Sequence, residues 1–526
     1  MASILIRNCS IIDGTGTPRY NSNILVENDK IQAIGELSNV TAETIIEADG
    51  LICSPGFIDT HTHSDGILLT EPQHANALRQ GVTTEILGQD GLSYAPLSKE
   101  KYLENRTYLS GILGLPPAEL DMSSIESFRT HYHKKVAINT AYLIPHGAIR
   151  LNVLGFQDKP LDKASMAHAK DLIREGISQG AVGIATGMSY FPNAWSDTQE
   201  LIELCKTTAN LGGVYVTHLR DVNTERAYGG GGVPEALEIG KKSGIPVHFS
   251  HFRTQEDNAG KVAERVHLID EAKKSGVDIS LELYPYPTGS TFPLSFLPSY
   301  AHEGGVNAIM ERLQNPASQK RIVNYLDEES PRTLDDAVLS YVPSNTSLEG
   351  LSLKHIASER ALSPGKTLCD LLVESNLQIG YWASPPMSVS IWDQINRDCM
   401  ELLARDDYMV GSDSIPLGSF PHPRAYGTFP RIIGRFTRKY KRMSLEEIIN
   451  RVTDKPARRF NLKHRGRIAI NYFADLTLFD AEKISDRATY DDPAQFPIGI
   501  PHVIVNGEIA VLDGVCTGAI AGRAVP

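Results

Sequence analysis

Residues 56–65 read GFIDTHTHSD, and the fold is decided by how this stretch is read. Phe57 and Ile58 begin an apolar strand that runs directly into His61-x-His63, and period-two spacing puts both imidazoles on one side of an extended chain. Two neutral imidazoles converging on a point can ligate a metal ion. Further along the chain, strand-length apolar runs recur: TTEILG (83–88), INTAYLIP (138–145), AVGIATG (181–187), GVYVTHL (213–219), IPVHFSHF (245–252), ISLELYP (279–285) and YMVGSD (408–413). With GFIDTH (56–61) they make eight, separated by stretches of helical period, the pattern of parallel βα units. The expected fold is α/β, a (β/α)8 barrel of the TIM type, with its active site at the carboxyl ends of the strands. Polar residues stand at most of those ends: His61 and His63, Asp90, His146, His218, His251, Tyr284 and Asp413. His248, three residues before His251, is expected on the helix-facing side of its strand.

Both chain ends have a different texture. Residues 3–49 and the last sixty residues read as short strands with hairpin signals at Asn28-Asp29 and Asn506-Gly507. Residues 1–55 and 465–526 are expected to join in one composite β-sandwich domain, leaving 56–464 for the barrel. The span 290–405, between the seventh and eighth strands, is far longer than an ordinary connection and reads as an inserted subdomain beside the active-site mouth. Gly229–Gly232, after the fifth strand, calls for mobility or positive-φ turns.

Composition narrows the function classes. The chain has 526 residues, 41% of them hydrophobic, enough for a large core. Its net charge of -12, from 51 basic and 63 acidic residues, offers no long-range attraction to nucleic acid or an anionic membrane. A small-molecule enzyme is expected. There is no secretory leader and no run of about 18 apolar residues, so a cytoplasmic location is expected. Cys9, Cys53, Cys205, Cys369, Cys399 and Cys516 lack the spacing of a disulfide framework or zinc knuckle.

His61, His63, His218, His251 and Asp413 form a four-histidine, one-aspartate set at the barrel mouth. This set resembles that of the metal-dependent amidohydrolase superfamily, and within it the chain is most similar to the N-acyl-D-amino-acid deacylases, the D-aminoacylase family. The resemblance runs through PGFIDTHTHSD, RQGVTTEILG, GAVGIATGMSY, YVTHLRD, FSHF, YPYPTGST, VGSDS, HPRAYGTFPR and the C-terminal ADLTLFD and VIVNG. It implies hydrolysis of N-acyl-D-amino acids at a divalent metal centre of one or two ions, zinc foremost. A cation of that kind polarises an amide carbonyl and lowers the pKa of bound water to about 7. Asp413 is then both a ligand and the general acid/base.

The chain departs from the family at two places. Where D-aminoacylases carry a ligating cysteine in GNCG, this chain reads GQDG (88–91), so Asp90 takes the thiolate's place. A carboxylate is harder than a thiolate and admits Mn2+ or Co2+ beside zinc. The family's substrate-carboxylate clamp maps onto Tyr284, Ser290 and Arg424, while its lysine is replaced by Arg253. The alternative for Asp90 is turn formation, and for Arg253 a surface pairing with an acid such as Glu256.

Other readings compete with the deacylase. A ring-opening amidohydrolase would look to a carboxylated lysine on the fourth strand, and AVGIATG has none. A deaminase fits the bare ligand set equally well; only YPYPTGST and HPRAYGTFPR tell against it. An inactive scaffold would be expected to have lost ligands, and all are present. Another amide or peptide hydrolase of the superfamily stays open. The oligomeric state is not legible.

Overall fold

A computed structural model describes residues 3–330 and 332–525. Its centre is an eight-stranded parallel sheet in chain order: Phe57–Asp59, Val82–Leu87, Asn139–Pro145, Gly183–Gly187, Val214–His218, Val247–Phe249, Ile279–Leu283 and Tyr408–Val410. These are barrel strands 1 to 8, and all eight runs seen in the sequence are there. The circle closes between strands 8 and 1 through a parallel bridge from Thr62 to Ser414 and through Asp413 N donating to His61 O at 2.7 Å. That hydrogen bond ties the aspartate directly to the first histidine of the HxH pair.

The intervening helices begin where the sequence offers caps. Asp162 accepts from Ser165 N ahead of Lys163–Ser178, and Asp197 accepts from Glu200 N ahead of Thr198–Ala209. Alternation sends one face of each strand to those helices and the other into the barrel. Ile58, Ile86, Ala141, Leu143, Ala185, Val214 and Val216 form an apolar floor, packed from below by Phe460, Leu462 and Val525. Above this floor the inner face carries polar side chains, which gather toward the carboxyl ends of the strands.

The two chain ends meet in one nine-stranded sheet, in which Ile52–Pro55 lies antiparallel to Leu476–Phe479. Cys9, Ile11, Ile24 and Cys53 from the start share a separate apolar core with Ala474, Leu476, Leu478 and Ile504 from the end. Both hairpins occur where expected, with φ of 53° at Asn28 and of 47° and 80° at Asn506 and Gly507. Between strands 7 and 8, a three-stranded sheet of Ser290–Thr291, Ala337–Tyr341 and Gly380–Ala383 lies among helices. This insertion leans over the barrel mouth.

Candidate metal centre and substrate cavity

His61, His63, Asp90, His218, His251 and Asp413 cluster above the apolar floor. His61 Nε2 lies 3.6 Å from both Asp90 Oδ1 and Asp413 Oδ1, and His63 Nε2 lies 3.2 Å from Asp413 Oδ1 and 3.6 Å from Asp90 Oδ2. His218 Nδ1 is 3.5 Å from Asp90 Oδ2 and 3.0 Å from His251 Nε2. Two ligands held about 2.1 Å from one zinc ion at tetrahedral angles stand roughly 3.4 Å apart. The observed separations fit that edge length. His61 Nε2 and Asp90 Oδ1 are buried without a hydrogen-bond partner, which suits atoms that offer lone pairs to a cation.

The donors fall into two overlapping groups, His61 with His63 and Asp413, and His61 with Asp90 and His251. Asp90 turns one oxygen toward His61 and the other toward His63 and His218, a geometry open to a bridging carboxylate. It sits in the left-handed region, φ 56°, between Gly88 and Gly91, also at positive φ. Its side chain is buried. Asp65, the last residue of the opening stretch, fixes this loop by accepting from Gly88 N at 3.1 Å and Ser93 Oγ at 2.6 Å.

The electrostatics favour a cation here. Burial disfavours a charged His61, but the carboxylates of Glu282, Asp90 and Asp413 outweigh it and raise the imidazole to about 10. Burial and the neighbouring His218 hold His251 down at about 3, so this ring is neutral and its lone pair is free to ligate. Burial opposes ionisation of Asp413 as well, yet Arg424 and His61 keep its carboxyl well below the usual range. Together these groups supply anionic carboxylates and a neutral imidazole.

A cavity of about 380 Å3 opens beside the cluster, lined by Asp90, His218, His251 and Asp413 and, across from them, by Arg253, Tyr284 and Ser290. Arg253 is buried; it donates to Tyr284 Oη at 3.0 Å and to two carbonyls, those of Thr254 and Pro287, and pairs with no acid. The surface pairing with Glu256 is therefore not what forms. Arg424 is also buried; its Nη1 lies 2.8 Å from Asp413 Oδ2 and its Nη2 donates to Ser290 O at 3.0 Å. The Nη1 contact is an ion pair by distance rather than an aligned hydrogen bond, so Arg424 Nε and Nη1 and Arg253 Nε lack acceptors. Ser290 turns its hydroxyl to Tyr381 O at 2.9 Å.

Several residues here were not singled out in the sequence. Ser189 bonds His218 Nε2 at 2.8 Å and also bonds Asp221, which Arg332 of the insertion grips in turn. Glu282 lies beneath His61. His248 faces the barrel interior and bonds Glu282 and Ser280, which corrects the helix-facing expectation. Strand 6 ends at Phe249 and His251 adopts φ 38°, so simple alternation does not connect the two histidines. His146 bonds Glu200 and Asn193 in the core, away from the cavity.

A family model described as the amidohydrolase family matches residues 44–511. The chain belongs to this family. This amidohydrolase is 31% identical to the D-aminoacylase of Alcaligenes xylosoxydans xylosoxydans, over 99% of its own length and 96% of the relative's. In three dimensions it resembles a D-aminoacylase with a binuclear metal centre, with a TM-score of 0.80, 28% identity and 99% of each chain covered. It resembles the N-acyl-D-glutamate deacylase of Bordetella bronchiseptica, solved with zinc and a phosphonate mimic of the tetrahedral intermediate, equally well: TM-score 0.80, 27% identity and 99% coverage of both chains.

Proposed function

We propose that this amidohydrolase hydrolyses the amide bond of N-acyl-D-amino acids, releasing a carboxylate and the free D-amino acid. The observation that carries this reading is the convergence of four histidines and two aspartates, at ligand spacing, beside a cavity lined by the buried Arg253, with the buried Arg424 paired to Asp413. His61, His63, Asp90, His218, His251 and Asp413 would hold one or two divalent ions, zinc foremost. When bound there, such an ion supplies Lewis-acid polarisation and makes water acidic enough to react at neutral pH.

The remaining work falls to the chain's own groups. Asp413 is kept anionic, with Oδ1 toward the histidines and Oδ2 toward Arg424, so it can accept the proton of the attacking water and return it to the leaving amine nitrogen. Arg253, which lines the cavity, suits the α-carboxylate of the substrate; Arg424, paired with Asp413, adds positive charge next to it, and Tyr284, beside both guanidinium groups, orients them. An acidic protein with a cavity of this size calls for a small-molecule partner. Among the described residues no helix is long and apolar enough to cross a membrane. Six free cysteines, five of them buried, suit a reducing compartment, and we assign the enzyme to the cytoplasm.

A chiral panel of N-acyl amino acids, assayed with metal-loaded protein, tests the reading. Release of free D-amino acid with the L-enantiomers spared is expected. Turnover confined to cyclic amides or to deamination substrates would replace it with one of the other amidohydrolase chemistries.

A further inference from the structure

Between the apolar floor of the barrel and the ligand set lies a thin polar layer: Thr60, His248, Ser280 and Glu282. Glu282 is at its centre. It sits within strand 7, is fully buried, and accepts from His61 Nδ1 at 2.5 Å, from His248 Nε2 at 3.0 Å and from the Thr60 hydroxyl. Among the described residues no lysine or arginine pairs with it. Burying a carboxylate without a cationic partner is strongly unfavourable, so its charge must be balanced through a neighbour.

His61 is that neighbour. An imidazole that ligates through Nε2 must carry its proton on Nδ1, and this proton needs an acceptor to fix the tautomer and the ring orientation. Glu282 Oε1 is that acceptor, while His61 Nε2 on the opposite side of the ring faces Asp90 and Asp413. Strand 8 makes room for the pair: a Cβ at Gly411 would stand 2.6 Å from both Glu282 Oε2 and His61 Cβ. The other ligand histidines have no such support. His63 Nδ1 is buried without a partner, and His218 leans on the Ser189 hydroxyl.

We propose that Glu282 is the positioning residue of the metal centre: it locks His61 in the ligating tautomer and places a buried negative charge behind it that tightens its hold on a divalent cation. The proposal rests on the metal-centre reading above but not on the identity of the substrate.

The test is Glu282→Gln, with zinc affinity measured by chelator competition, melting temperature measured on metal-free protein, and turnover measured at saturating zinc. Affinity should fall by about 10- to 100-fold, the usual cost of losing such a partner. The metal-free protein should melt no lower than wild type, and turnover should recover to within a few-fold once zinc saturates. Glu282→Asp keeps the charge and should lose less affinity than Glu282→Gln; it also serves if the glutamine variant does not fold. Affinity within about twofold of wild type in Glu282→Gln, or a loss in Glu282→Asp as large as in Glu282→Gln, overturns the proposal. So does a lowered melting temperature of the metal-free glutamine variant with unchanged affinity. These readouts need no substrate, so a wrong substrate assignment would leave them intact.

Discussion

Asp90, His251 and Asp413 share left-handed backbone, with φ of 56°, 38° and 53°. Such conformations cost on the order of 1–3 kcal/mol each and persist where surrounding structure enforces them, typically at functional sites. At Asp90 this separates backbone from charge, because asparagine tolerates the left-handed region as aspartate does. Asp90→Asn should therefore keep the turn and still lose the tighter metal, Asp90→Ala should lose it with activity, and Asp90→Cys should retain metal with a shift toward zinc. Elemental analysis after dialysis reads all three; full occupancy and normal turnover in Asp90→Asn would return the residue to a turn-forming role. Asp413→Asn should lower kcat by at least about 10²-fold, with little change in metal content. Near-normal turnover in that variant would move the acid/base role elsewhere. Arg424→Met should cost about 1.5–3 kcal/mol in kcat/KM on N-acyl amino acids, and less when the substrate carboxylate is amidated. Equal losses on both would mean that Arg424 acts on Asp413 alone.

At the scale of elements, the ligands are set by where strands stop. Gly187 closes strand 4 against the loop that carries Asp90: an added Cβ would lie 2.2 Å from Asp90 O and 2.7 Å from the Tyr190 ring. Gly187→Ala should displace that loop, costing about 1–3 kcal/mol of unfolding free energy measured by urea denaturation and weakening zinc binding although no ligand is changed. Unchanged stability and zinc affinity would show that the loop yields freely. The barrel strands were legible because most are short, largely apolar runs with a polar residue at or just beyond their carboxyl ends, the pattern of strands covered on both faces. In the insertion, Gly380–Ala383 is the middle strand between Ser290–Thr291 and Ala337–Tyr341, and the first two are too short for any alternation to show. Gly229–Gly232 takes positive φ at all four positions, as its composition required.

For the whole molecule, the metal centre ties together the ends of strands 1, 2, 5, 6 and 8, and the nine-stranded sheet ties the first residues of the chain to the last. A ligand bound only by the folded state at a hundred times its dissociation constant adds about 2.7 kcal/mol of stability. Stripping the metal with a chelator should thus lower the melting temperature by a few degrees, and zinc should restore it; identical melting curves with and without metal would show that the ligand set is preformed and empties without cost. The sequence by itself determined the barrel, because its strands follow from apolar runs separated by stretches of helical period, a local feature of the chain, while the choice of His61, His63, Asp90, His218, His251 and Asp413 among the polar residues near strand ends came from the family resemblance. Only the tertiary structure decided that Glu282 and His248 form a polar layer under His61, that Arg332 of the insertion reaches Asp221 close to His218, and that Arg424 is already paired with Asp413. Those contacts join residues up to 221 positions apart across a closed barrel. Their partners are chosen by strand register and by which way a turn bends the chain, quantities that no local pattern encodes.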